Sequence, residues 1–531
     1  MSTETVVSCR IKPYIQPFER ELAFRELIQL AGGSLLSRAS SDFEFSIRTA
    51  VPLRVLAERL AYWERVRAGR GYLTTQSLRE ATVTIARNGV PFAKLGSVLP
   101  FKDDPPLPNR RCLRYGPHGI HEYRGKFFPQ LVRALLNSAG IRPGSFVADT
   151  MCGSGTTVVE AVLLGCRGLG LDLNPLSVFI SRAKCEILRV SPISLTKTYN
   201  TVRERLGSRP ARTRSLPWLE SFSEHDQRYL RAWFSCEVLH ALERVVEAIR
   251  SVRSRAERDL LWVCLSNVLR RVSWQKEDDL RVRREIKQYV DPVGAFVAEM
   301  TRSVRMVLTF LLQNKMDVLG QGVVLEGDAR ASHTALKEWA GRVDAVVTSP
   351  PYATALPYLD TDRLSLIYLK QLSRDQHRRR EQLMVGNREI TDSTRREYWD
   401  RYVAHRDRLP NSIVQLVDHV QETNTHADVG FRRRNLAALL GKYFLDTAAV
   451  FESLRLLLKA RAPVFVVIGS NHTYARGQRI EIPTAMLLGK LAELHGLELV
   501  EAIPMEMLVS RDIFKKNASA SETILYLRKR N

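Results

Sequence analysis

The chain has 531 residues, 45% of them hydrophobic and 26% charged, an ordinary balance for folded globular domains and length enough for roughly two to four of them. The formal net charge of +23 and a pI near 9.9 are not ordinary; they favour a polyanionic partner, nucleic acid foremost, over a merely solvated basic surface. Seven cysteines without a CxxC pair argue against a disulfide framework or a zinc site and for a reducing compartment, while the lack of a secretory h-region or of any apolar run near about 18 residues predicts a cytoplasmic chain with no membrane contact.

Residues 1 to 100 read as a separate α+β module that could bind substrate. "FERELAFRELIQLAGG" (18–33) has apolar residues at helical spacing and a Gly-Gly stop. "DFEFSIRT" (42–49) alternates like a strand, and "LRVLAERLAYWERVRAG" (53–69) reads as helix again. "LPFKDDPPLPNRR" (99–111), rich in proline and charge, predicts a linker.

From residue 112 the pattern becomes strand then helix, repeated. "SFVAD" (145–149), "CRGLGLD" (166–172), "VVLEGD" (323–328), "DAVVTS" (344–349), "PVFVVIG" (463–469), "LELVEAIPM" (497–505) and "TILYLRK" (523–529) are seven expected strands. Apolar strands alternating with helices predict an α/β fold, a Rossmann-like parallel sheet wound on both faces. Core segments are expected at 112–189, 321–372 and 441–531. Two basic insertions interrupt them: a helical one at 190–320, which contains "DLRVRREIKQYV" (279–290), and one at 373–440 with "HRRR" (377–380).

Four stretches carry chemistry. "ADTMCGSGTTVVEA" joins a strand to a helix through a glycine turn, where Gly153 and Gly155 let the backbone approach a ligand. Asp149 stands at the strand end, Asp172 ends the next strand in "GLGLDLNP", and Asp328 follows the third in "EGDAR". A carboxylate at the second position typically holds ribose hydroxyls. Acids at the ends of three successive strands predict one ligand crevice, against the simpler reading that each caps a helix. The fourth stretch is Ser349-Pro350-Pro351-Tyr352, where two prolines must end a buried strand.

Together "DTMCGSGTT", "GLDLNP" and "TSPPY" resemble the amino-group methyltransferases that use S-adenosylmethionine. "HEYRGKFFPQL" (121–131) is similar to their motif that closes over the methionine end of the cofactor. Serine in the first position of SPPY is typical of DNA methyltransferases that modify N4 of cytosine; those acting on N6 of adenine more often carry Asp or Asn there. The resemblance covers residues 115–188 and 323–372, with a weaker match over 440–530. It implies a seven-stranded Rossmann-like methyltransferase sheet and S-adenosylmethionine as cofactor. Asp149, Gly153 and Gly155 would line its methionine part, Asp172 would hold the ribose, Asp328 the adenine amine, and Phe127 and Pro129 would cover it. Met151 departs from the phenylalanine common there, and a thioether can fill the same gap.

The same resemblance gives SPPY its role. Ser349 and the Pro350 carbonyl would accept the two hydrogens of a base amine, Pro351 would help to fix the loop, and Tyr352 would stack on a base flipped out of the duplex. It implies double-stranded DNA as substrate and a cognate restriction endonuclease as partner. Which segment reads the target stays open; Arg281, Arg283 and Arg284, near Trp274, are the candidates for phosphate contact, against a solvated helix face. Two alternatives stand beside this. "PFERELAFRELIQL" resembles the start of THUMP-associated tRNA guanine-N2 methyltransferases, which commonly carry Asp-Pro-Pro-Tyr and an N-terminal RNA-binding module. A non-catalytic nucleic-acid-binding protein would have to retain Asp149, Asp172, Asp328 and SPPY without using them.

Overall fold

The computed structural model describes residues 4–33, 35–38, 42–123, 127–208, 215–276, 283–314, 318–353, 358–386, 390–425, 430–475, 478–506 and 521–531. An antiparallel sheet comes first. It contains β1 (Thr5–Ile11), β2 (Leu35–Arg38), β3 (Glu44–Thr49), β4 (Trp63–Ala68) and β5 (Arg70–Leu73), in the order β2-β3-β1-β4-β5. Val7, Cys9 and Ile11 alternate inward from the central strand and are buried. The helix Pro17–Ala31 covers them.

The expected helix over 53–69 is only half right. It stops at Arg59, and after a three-residue turn β4 follows from Trp63 to Ala68. The reason is a long-range one. The buried Glu26 carboxylate accepts the Ala61 and Tyr62 N–H groups at 3.0 Å each, taking donors a continuing helix would need. Trp63 and Val66 are both buried although three residues apart, because the pairing of β4 with β1 shifts register between them, opposite Arg10 and Ile11.

The second sheet contains all seven expected strands: β6 (Phe146–Asp149), β7 (Arg167–Asp172), β8 (Gly322–Glu326), β9 (Ala345–Thr348), β10 (Pro463–Gly469), and, after a hairpin of β11 (Asn471–Ala475) and β12 (Gln478–Ile482), β13 (Leu497–Glu506) and β14 (Ser521–Lys529). Their order is β13-β14-β10-β9-β6-β7-β8, a Rossmann-like arrangement. The five strands from β10 to β8 are mutually parallel. The expectation of a wholly parallel sheet fails at β14, which lies between β10 and β13 and runs against both. An apolar run marks a buried strand but carries no direction.

Alternation along the strands sends side chains to two faces. Val147, Val347, Phe465 and Ile524 face a core shared with the helix Pro129–Ser138 and the first sheet. Ala148, Val346, Val466 and Leu525 face the helix Leu436–Leu457, which runs across the expected boundary at 440. The N-terminal module therefore shares its core with the main sheet. The stretch expected as a linker is tied down as well: Arg111 pairs with Glu19 at 2.7 Å, and the Phe101 N–H donates to Gln313.

The first insertion packs the helices Pro192–Gly207, Glu224–Trp233, Cys236–Arg250, Arg255–Val272 and Pro292–Gln313 around Leu176 and Ile180 of the helix Pro175–Glu186. Among the described residues no helix is long and apolar enough to cross a membrane, and no group of three His, Cys, Asp or Glu could hold a metal ion.

Candidate active site

Parallel order places the carboxyl ends of β9, β6, β7 and β8 along one edge, and the candidate residues sit there. The turn after β6 runs from Asp149 to the helix Thr156–Leu163. Gly153 and Gly155 have φ of +48° and +79°, and a Cβ on either would meet Tyr123 at 2.9 Å or Ser181 at 2.6 Å. No side chain caps this helix, whose first N–H groups point where an anionic group is favoured. A backbone cradle that a methyl would fill, beside an uncapped helix start, fits the amino-acid end of S-adenosylmethionine.

Asp149 is 1% exposed and accepts the Met151 N–H at 3.2 Å; burial pushes its carboxyl up to about 7. Asp172 accepts the Gly153 and Asn174 N–H groups at 2.8 Å each. Burial still outweighs these bonds and pushes its carboxyl up to about 6. Asn174 caps the following helix and donates to Asp362 at 2.9 Å. The two acids are thus buried acceptors on neighbouring strands, bound to the same turn.

Asp328 is different. It caps the turn Ala329–Ala331 and pairs with Arg330, whose Nε lies 3.0 Å from both carboxylate oxygens. Burial acts to raise its pKa, but the hydrogen bonds and charge of Arg330 prevail and hold it below its usual value. The capping role weighed against ligand binding is the one seen here, so an adenine amine would have to compete with a guanidinium. Arg330 in turn reaches the buried Asp446 at 3.0 Å, which Lys442 also approaches at 2.5 Å.

At the end of β9 Pro350 is buried and Ser349 and Tyr352 are half-buried. Among the described residues the Ser349 hydroxyl has no hydrogen-bond partner. The Tyr352 ring packs on Gly469 and its hydroxyl donates to Glu522. Pro351 lies against Gly386 of the second insertion.

The two residues of the upstream motif expected to cover the cofactor pack within the protein itself. Phe127 packs against the core beneath the sheet, and Pro129 is the buried first residue of its helix. Tyr123 of the same motif lies on Gly153 and its hydroxyl is 2.9 Å from Ser177 Oγ. Of the basic candidates, Arg281 lies outside the described residues. Arg283 and Arg284 are exposed, on an extended segment rather than the expected helix: Gln275 and Arg284 form an isolated β-bridge. Arg284 stacks over Trp274 at 4.6 Å. Sequence reading missed Arg380 of "HRRR", which donates to the Leu173 carbonyl at 2.8 Å and to Glu326 at 2.5 Å. It clasps the ends of β7 and β8 beside Asp172. No local signal could have found a hydrogen bond made across 207 residues.

Comparison with known proteins bears on the same region. Residues 121–187 match the family described as UPF0020: RMKL-like, methyltransferase domain. The type II methyltransferase M.BsoBI of Geobacillus stearothermophilus is 22% identical over 431 residues, covering 72% of this chain and 78% of that protein. The type II methyltransferase M.MvaI of Kocuria varians is 24% identical over 398 residues, with 72% and 82% covered. A tRNA (guanine(10)-N2)-dimethyltransferase of Methanothermobacter thermautotrophicus is 36% identical over 52 residues, 10% of this chain and 16% of that protein. Over most of its length, then, the chain is similar to the S-adenosylmethionine-dependent amino-group methyltransferases that its three motifs first suggested.

Proposed function

We propose that the protein methylates the exocyclic amine of a flipped base in double-stranded DNA, N4 of cytosine. The observation that carries this reading is the SPPY turn at the end of β9, its Ser349 hydroxyl unpartnered among the described residues, on the edge that also holds Asp149 and Asp172. Similarity to two type II methyltransferases over 72% of the chain supports DNA as the substrate. S-adenosylmethionine would supply an electrophilic methyl group. Asp149, Asp172 and the glycine turn would bind it; Ser349 and the Pro350 carbonyl would orient the amine by accepting hydrogen bonds from its two N–H groups, the surplus proton of the methylated amine would leave to water, and Tyr352 would hold the base. No covalent nucleophile is required. A cognate restriction endonuclease belongs to this reading.

Nucleoside mass spectrometry of DNA and tRNA from cells with and without the gene tests it. N4-methylcytosine in DNA is expected. N6-methyladenine would keep the substrate and change the base. N2-methylguanosine confined to tRNA would favour the second reading, which the short match to a tRNA (guanine(10)-N2)-dimethyltransferase supports.

Asp172→Ala should weaken S-adenosylmethionine binding about tenfold or more, because hydrogen bonds to a charged group contribute about 1.5–3 kcal/mol. The ionised carboxylate is the better acceptor for ribose hydroxyls, and burial raises its pKa to about 6. Wild-type affinity should therefore fall as the pH drops below about 6, and the variant should lack that part of the pH dependence. Calorimetry across pH checks both; an unchanged affinity would remove Asp172 from the site.

If Arg283 and Arg284 bind phosphates, removing either guanidinium should reduce the slope of log affinity against log salt by about 0.9 for duplex DNA. The double alanine variant is expected to bind DNA more weakly at low salt with a shallower slope and unchanged cofactor affinity, read by fluorescence anisotropy. An unaltered slope would assign both arginines to surface charge.

A further inference from the structure

We infer that Glu522 is a positioning residue that acts through Tyr352, with Gly469 as the bed on which the ring lies. The inference rests on the base-holding role proposed for SPPY and adds the mount that fixes its aromatic ring.

Three adjacent strands build this mount. SPPY leaves the end of β9, whose neighbour β10 closes at Gly469. Across the next ladder Gly469 is the register partner of Glu522 at the start of β14. Tyr352 thus reaches from the first strand, over the second, to the third, and its hydroxyl donates to Glu522 Oε1. The crossing depends on a missing side chain: a Cβ on Gly469 would lie 2.7 Å from Tyr352 Cε2 and 3.2 Å from Cζ. On the other side of the loop, a Cβ on Gly386 would meet Pro351 Cβ at 3.0 Å and the Tyr352 carbonyl at 3.3 Å. The turn is therefore confined from both directions.

The chemistry of Glu522 fits a tether better than a packing role. Among the described residues the carboxylate has no cation partner, and burial raises its pKa while the Tyr352 bond works against that. A half-buried carboxylate without a counter-charge is an unfavourable choice for stability alone. What it offers is a charge-assisted hydrogen bond, about twice as strong as a neutral one. Such a bond fixes the ring orientation before a base arrives, so stacking does not have to order it. Prolines restrict the backbone of the turn, and the tether restricts the side chain that the prolines cannot reach.

The test uses steady-state kinetics on whichever nucleic acid the wild-type protein methylates, together with S-adenosylmethionine calorimetry as a check on the fold. Glu522→Ala and Tyr352→Phe each remove the same bond. Each should lower kcat/KM about tenfold, the scale of one hydrogen bond to a charged group, with cofactor affinity unchanged. The double variant should be no worse than either single one, since the pair acts as a unit. Glu522→Gln, which retains an acceptor oxygen without the charge, should recover about half of the lost transition-state free energy; a merely structural carboxylate would not show that partial rescue together with the non-additivity. With 2-aminopurine at the target position, Glu522→Ala should also show reduced capture of the flipped base. Wild-type kinetics in Glu522→Ala, or effects of the two single variants that multiply, would overturn the inference. A wild-type product other than N4-methylcytosine would overturn the proposed target base and leave this test intact on the true substrate.

Discussion

Glu160→Ala is expected to destabilise the fold by about 3–5 kcal/mol, the usual loss when one partner of a buried ion pair is removed. Glu160 lies in the helix after the glycine turn and is fully buried. Its carboxylate accepts from Tyr115 Oη at 2.8 Å and Arg133 Nε at 2.9 Å, and His118 Nε2 lies 2.9 Å away. Burial alone would raise its pKa. The Arg133 charge, the His118 hydrogen bond and the nearby Arg79 outweigh burial and hold it at about 2. Truncation would leave two buried guanidiniums, those of Arg133 and Arg79, facing a cavity without their carboxylate. The ordinary carboxyl value is near 4.3. Because the folded value is depressed, the stabilisation is present above about pH 4 and is lost as the pH falls towards about 2. Urea denaturation at a series of acid pH values, with Glu160→Gln as the uncharged comparison, should show that variant lacking this part of the pH dependence. Equal stability of wild type and Glu160→Ala at pH 7 would show that the network contributes nothing. The consequence is also functional: Arg79 belongs to the N-terminal module, Arg133 to the helix before β6, and Glu160 to the helix that presents the turn. Loss of the carboxylate should therefore weaken cofactor binding as well.

Burial on both faces made the main sheet legible in sequence. "FVAD", "PVFVVIG" and "DAVV" are continuous apolar runs because helices cover both sides of them. The glycine turn was legible because its two positive-φ positions demand glycine, and SPPY because prolines end a ladder. Other features depend on partners distant in the chain. "WERVRAG" reads as the tail of a helix until Glu26 takes the N–H groups of Ala61 and Tyr62, the two residues just before it. Asp328 is a case apart: its partner Arg330 stands only two residues on, inside "EGDAR", but the pattern alone does not separate it from Asp149 and Asp172. Arg380 and Glu522 carry no local signature; each meets its target through strands that sequence places far apart. Direction was equally silent, so β14 gave no sign of its reversal.

Ser349→Ala and Tyr352→Ala should each lower turnover by about a hundredfold, the scale expected when a reacting group loses its fixed orientation. A base amine is a poor nucleophile, because its lone pair is delocalised into the ring. As its nitrogen bonds to an incoming methyl carbon, positive charge develops on that nitrogen and its hydrogens become stronger donors. Acceptors placed on those hydrogens therefore hold the transition state more tightly than the ground state, and that difference raises kcat rather than lowering KM. The Ser349 hydroxyl, without another partner among the described residues, and the Pro350 carbonyl, fixed by a proline φ, are suited to this work. In the proposed reaction Tyr352 would contribute through the base: without its ring the flipped nucleotide would lose a stacking surface worth about 1–3 kcal/mol. In the proposed arrangement both residues face the base and not the cofactor, so calorimetry should give S-adenosylmethionine affinities within about twofold of wild type while single-turnover rates collapse. Asp172→Ala should show the opposite division, with affinity weakened and the chemical step nearly preserved at saturating cofactor. If Ser349→Ala kept its single-turnover rate, the serine would be a strand-ending residue only, and the amine would have to be oriented by the Pro350 carbonyl alone.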